Sequence, residues 1–141
     1  MEVNPYQRIE LIFYSLAAGQ IIFAVITYFF LLDEGNKSDI PQLLYVVPLA
    51  LIACMGAAYF MNNKLREAAP DQKDETAKLS HYQTRVIMRS ALMEGANLLA
   101  IIAALITGDV TFFFVFLIGF AVFFYFRPSR YELEHDYQLM V

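Results

Sequence analysis

Four stretches of this chain carry almost no charge, and their lengths decide what it can fold into. Leu11–Leu32 runs 22 residues with no formal charge, Leu43–Met61 19 and Val110–Phe126 17, while Ser90–Thr107 runs 18 with Glu94 alone. A helix needs about 20 apolar residues to cross a hydrocarbon core of about 30 Å. In lipid every backbone N–H and C=O must be paired within the segment, which favours helices. A soluble bundle of this size would carry a polar stripe along each helix, and these runs lack one. The reading is an all-α polytopic membrane protein: one four-helix transmembrane domain over 1–141, with spans at about 9–32, 41–62, 85–107 and 110–127. The composition agrees, at 59% apolar and 17% charged residues, against roughly 45–50% and 25% in soluble domains. A net charge of −4 argues against nucleic acid as a partner. The lone Cys54 closes no intrachain disulfide.

The basic residues orient the spans. Arg8, Lys64, Arg66, Lys73, Lys78, Arg85, Arg89, Arg127 and Arg130 fall on one side, and only Lys37, beside Asp33, Glu34 and Asp39, on the other. The positive-inside rule then places both termini, a loop at 63–84 and a tail at 128–141 in the cytoplasm, as for a multi-pass protein of a bacterial-type inner membrane. The start, Met1-Glu2-Val3-Asn4-Pro5, has no basic n-region, so the first run reads as a retained span. No lipidation motif is present. Pro70 breaks the central loop; Asp71 is the expected cap of the third helix, with Asp74 in its first turn. The tail reads as a short interfacial helix.

The halves resemble each other. Tyr6-Gln7-Arg8 precedes the first run and Tyr82-Gln83-Thr84-Arg85 the third, and a shift of 76 sets Leu16 on Leu92, Gly19 on Gly95 and Ala24 on Ala100. Two hairpins in parallel repeat are expected. Ala18 of the first then stands opposite Glu94 of the second.

Glu94 is the one ionisable group well inside a span, where a carboxylate costs at least about 2.5–3.5 kcal/mol. Ser90 at i−4 and Asn97 at i+3 make a polar stripe with it. Gln20, the only side-chain amide of the first span, sits at comparable depth and is the candidate partner. These four form the candidate ion or hydrogen-bond site. An intramembrane acid marks an ion or proton path by default; the structural alternative is an interhelical hydrogen bond, worth about 0.6 kcal/mol on average. Arg85 and Arg89 point away from the Glu94 face and, with Arg127, are expected to anchor the membrane interface by snorkelling. Ala53 with Ala57, Cys54 with Ala58, and Ala96, Ala100 and Ala104 repeat every fourth residue, a spacing that serves bundle packing or oligomer contacts. Pro48 is a candidate kink. Eight Phe between Phe112 and Phe126 exceed what a four-helix interior holds, so some face lipid or a partner subunit. His81 and His135 complete no metal-ligand spacing. No catalytic constellation, phosphate loop or cofactor motif is present.

Ala91-Leu92-Met93-Glu94-Gly95-Ala96-Asn97-Leu98-Leu99-Ala100 resembles the carboxylate helix of rotary ATPase c-type proteolipid subunits. That resemblance would make Glu94 an ion-carrying acid. The whole layout also resembles uncharacterised four-helix bacterial membrane proteins, through Arg89-Ser90-Ala91-Leu92-Met93-Glu94-Gly95 and Arg127-Pro128-Ser129. It implies no activity. The expected function is a non-enzymatic packing or accessory subunit of a membrane assembly, in contact with lipid and with copies of itself or other subunits. Proton or cation translocation through Glu94 is the alternative.

Overall fold

A computed structural model describes residues 4–32 and 38–140. The expected acidic link through Asp33, Glu34 and Lys37 lies outside them. Among the described residues the chain is all helical: α1 (Pro5–Leu32), α2 (Leu43–Glu67), a single 3-10 turn at Ala69–Asp71, α3 (Glu75–Thr107), α4 (Thr111–Tyr125) and α5 (Arg130–Tyr137).

Local chemistry sets the boundaries. The Asn4 side chain accepts from the Tyr6 N–H (3.0 Å) as α1 begins. Lys64 and Arg66 lie in the last turn of α2, where cations favour the helix dipole. The cap of α3 is Asp74, whose Oδ1 accepts from the Ala77 N–H at 2.6 Å. The expected cap, Asp71, closes the preceding 3-10 turn instead, because Pro70 sits in that turn and delays α3. The expected loop 63–84 is mostly helix, and only 68–74 lie between α2 and α3. Gly108 ends α3 at φ 68°, with its N–H on the Ala104 carbonyl at 2.8 Å, a left-handed cap that glycine adopts without strain. Asp109 Oδ1 then accepts from the Thr111 N–H (2.8 Å) and opens α4.

The lengths are unequal. At 1.5 Å per residue, α1 (28 residues) is about 42 Å long, α2 (25) about 37 Å and α3 (33) about 50 Å. All three are long and apolar enough to cross a membrane. With 15 residues α4 reaches only about 22 Å. It passes the same test of length and apolarity only when α5, set at a 49° bend, is counted with it.

α3 is the hub, packed against α1, α2 and α4. Ala96, Ala100 and Ala104 are buried along it and let its neighbours approach. Ala58 of α2 is buried too, whereas Ala53 and Ala57 face outward. Phe112, Phe116, Phe123 and Phe126 fill the interior, and Phe114 is 65% exposed. Phe13 of α1 stacks on Phe123 with ring centroids 4.5 Å apart. Tyr6, Ile9, Ala69, Tyr82, Val86, Leu133 and Tyr137 share one buried cluster. The start of α1, the α2–α3 link, the start of α3 and the tail therefore meet at one end of the bundle. The tail is a short helix, and it packs on the bundle instead of standing free of it. Leu133 and Tyr137 pin α5 to the bundle, where it continues the short α4 in a new direction.

Candidate functional site

Two polar centres interrupt this apolar body. The first lies deep between helices. Asn97 of α3 donates through Nδ2 to Gln20 Oε1 of α1 at 2.8 Å, and both side chains are fully buried. Gly119 of α4 closes the layer. A Cβ there would overlap Asn97 Oδ1 and come within 2.9 Å of Leu51 Cδ1 of α2. One amide pair, one glycine and one leucine thus key four helices to each other.

Of the expected site residues, the structure joins Gln20 to Asn97 and not to Glu94. Three residues of α-helix turn Glu94 about 60° from Asn97, enough to carry it from the interior to the rim. Glu94 is half-buried, with Ala91 and Gly95 exposed beside it, and no hydrogen bond or ion pair reaches it among the described residues. Ser90 is buried and its Oγ has no partner there, like Gln20 Nε2 and Asn97 Oδ1. The expected stripe is therefore split: Ser90 and Asn97 face inward and Glu94 lies at the edge.

The second centre sits at the end that gathers both ends of the chain. Arg85 and Arg89 are only 2% and 1% exposed. They do not snorkel to headgroups, because the tail supplies carboxylates inside the fold. Arg89 forms a two-pronged pair with Glu132, Nη1 to Oε1 and Nη2 to Oε2 both at 2.8 Å. Its Nη2 also donates to the Arg127 carbonyl (3.1 Å). Arg85 Nη1 donates to Asp136 Oδ2 at 2.7 Å. Asn62 Oδ1 of α2 accepts from both arginines, at 2.8 and 2.7 Å. The Tyr82 hydroxyl accepts from the Ser129 N–H (2.8 Å) and reaches Glu132 Oε2 at 2.9 Å. Tyr6 donates to the Pro128 carbonyl (3.3 Å). Two guanidinium and two carboxylate charges cancel in a buried space. Arg127, the third expected anchor, has its side chain exposed.

The sequence held a signal for this centre. Arg85 and Arg89 are one helical turn apart, as are Glu132 and Asp136, so two helix faces of matching pitch carry opposite charge.

Proton linkage follows from the same contacts. Burial by itself lifts the Asp136 carboxyl, but Arg85 and His135 outweigh it and hold the group below the usual carboxylate range. Burial, then Arg85, pushes His81 below its usual 6.5; its Nδ1 lies 2.8 Å from the Tyr137 hydroxyl. A histidine whose folded value is depressed contributes stability above the unfolded value and loses it as pH falls from there to the folded value. The His81 contribution thus declines from pH 6.5 downward. That of Asp136 follows at lower pH, where its carboxylate takes up a proton. Thermal unfolding in detergent, recorded from pH 8 to pH 4, is expected to show a falling midpoint that begins near pH 6.5, with the upper part of the fall removed by His81→Asn. An unchanged profile in that variant would rule His81 out as the source.

Among the described residues, no group of three or more His, Cys, Asp or Glu side chains is placed to hold a metal ion. Comparison with protein families, with curated proteins and with solved structures gave no match.

Proposed function

We propose that this chain is a non-enzymatic subunit of a membrane assembly, embedded in a bacterial-type inner membrane with both ends cytoplasmic. The observation that carries the reading is Glu94, a carboxyl within an apolar span that finds no partner among the described residues. A carboxylate at such depth costs about 2.5–3.5 kcal/mol or more, and a donor from a neighbouring span relieves that cost. The surface beside it suits a close helix. Met88, Ala91, Gly95 and Ile102 are exposed along α3 at steps of three, four and seven residues, the spacing of a helix-packing seam. A Cβ at Gly95 meets nothing within 4 Å, so the notch is open.

The test is the mass of the protein extracted from its native membrane with surrounding lipid retained. The wild-type particle is expected to exceed one chain. Gly95→Leu, which fills the notch without touching the bundle, is expected to return it to one chain with helix content unchanged. A wild-type particle of a single chain would overturn the subunit reading. A Glu94 carboxyl band in the infrared that titrates near neutral pH, and is lost in Glu94→Gln, would put ion translocation in its place.

A further inference from the structure

The α2–α4 side of the bundle carries a groove of about 680 Å³, within the roughly 300–1,000 Å³ of ligand pockets. Ile52, Gly56 and Tyr59 of α2 line it, with Ala121 and Tyr125 of α4 and Phe126 just past its end. It exists because both helices pack mainly on α3, with little contact to each other, and because Gly56 and Ala121 leave space where larger side chains would meet. A Cβ at Gly56 has no atom within 4 Å. The walls are almost wholly apolar and face outward.

One end of the groove differs chemically from the rest. Its last wall residue, Phe126, is followed by Arg127, whose exposed guanidinium forms no ion pair among the described residues. Tyr59 and Tyr125, 59% and 79% exposed, flank that end as phenols do at a headgroup boundary. Lys64 stands just beyond on α2, its ammonium 5.7 Å from the Phe60 ring.

We propose that the α2–α4 groove binds one anionic phospholipid, with an acyl chain along Gly56 and Ala121 and the phosphate at Arg127. A flexible chain fills an irregular apolar groove and restores contacts that an empty one forfeits. A basic side chain at the interface favours an anionic headgroup over a zwitterionic one by about 1 kcal/mol, roughly a fivefold preference. The proposal rests on the membrane placement of the helices and is independent of any partner at Glu94.

The experiment is native mass spectrometry of the full chain released from nanodiscs of phosphatidylcholine containing a minor share of phosphatidylglycerol. Wild type is expected to retain one phosphatidylglycerol, enriched about fivefold over its share. Arg127→Gln is expected to abolish the enrichment and Arg127→Lys to keep it. Gly56→Leu is expected to remove the bound lipid while leaving the unfolding midpoint in pure phosphatidylcholine unchanged. Retention in proportion to the lipid mixture, or enrichment that survives both Arg127→Gln and Gly56→Leu, would overturn the proposal. So would a wild-type dimer that Gly56→Leu dissociates, since a second copy then fills the groove. A chain that stays in solution without detergent or lipid would instead sink the membrane reading itself.

Discussion

Glu132→Gln is expected to destabilise the folded chain by about 3 kcal/mol, the lower part of the range for breaking a buried ion pair. The loss is large because of what remains. Arg89 is 1% exposed, and without Glu132 it keeps its charge with only Asn62 and the Arg127 carbonyl as acceptors. Glu132 is 22% exposed, so water reaches its vacated place in part, which sets the figure at the low end. Unfolding by denaturant in detergent, followed by circular dichroism, measures the change. The double variant Arg89→Met with Glu132→Leu is expected to recover most of the loss, because apolar side chains of similar size replace a buried pair at little net cost. A Glu132→Gln effect under about 1 kcal/mol, the scale of a solvent-exposed pair, would refute a buried role for the cluster.

The second large effect falls at the opposite kind of site, where nothing is charged. Gly119→Ala is expected to destabilise by about 1–3 kcal/mol, the usual cost of overfilling a packed interior. The sign is the decisive feature. In an unobstructed helix interior the same change stabilises by about 1 kcal/mol. Here the added methyl meets Asn97 Oδ1 and lies 2.9 Å from Leu51 Cδ1, and the amide cannot move without leaving Gln20. In a Gln20→Leu, Asn97→Ala background the methyl has room, and Gly119→Ala is expected to be neutral or stabilising. A stabilised single variant would show that α4 does not approach Asn97 this closely.

These two positions also mark what the sequence discloses and what it withholds. The apolar runs are legible because length and lack of charge are local properties; α1, α2 and α3 begin or end beyond them only where polar caps and basic turns extend the helix past the apolar run. The Gln20 amide was recognisable as a partner in search of a mate, but its mate was not. Asn97 and Glu94 differ by about 60° around one helix, and only the positions of α1 and α4 decide which of them points inward. Arg85 and Arg89 show the same gap at longer range. Their distance from Glu94 around α3 is readable, so a snorkelling role followed; the acids that turn them inward are 43 and 51 residues away in the chain. Gly119 gives no local sign of its role, since a glycine among phenylalanines reads the same whether it faces lipid or an amide.

The separation of those charges also orders the making of the protein. Arg89 is synthesised 43 residues ahead of Glu132, roughly 2–9 s at about 5–20 residues per second. Throughout that interval the two guanidiniums of α3 lack the tail carboxylates that pair with them in the fold. Only when the tail emerges can they turn inward, bringing Tyr82, Ser129 and Tyr137 with them. This end of the bundle is thus sealed last, and a nascent chain halted before residue 132 is expected to leave it open.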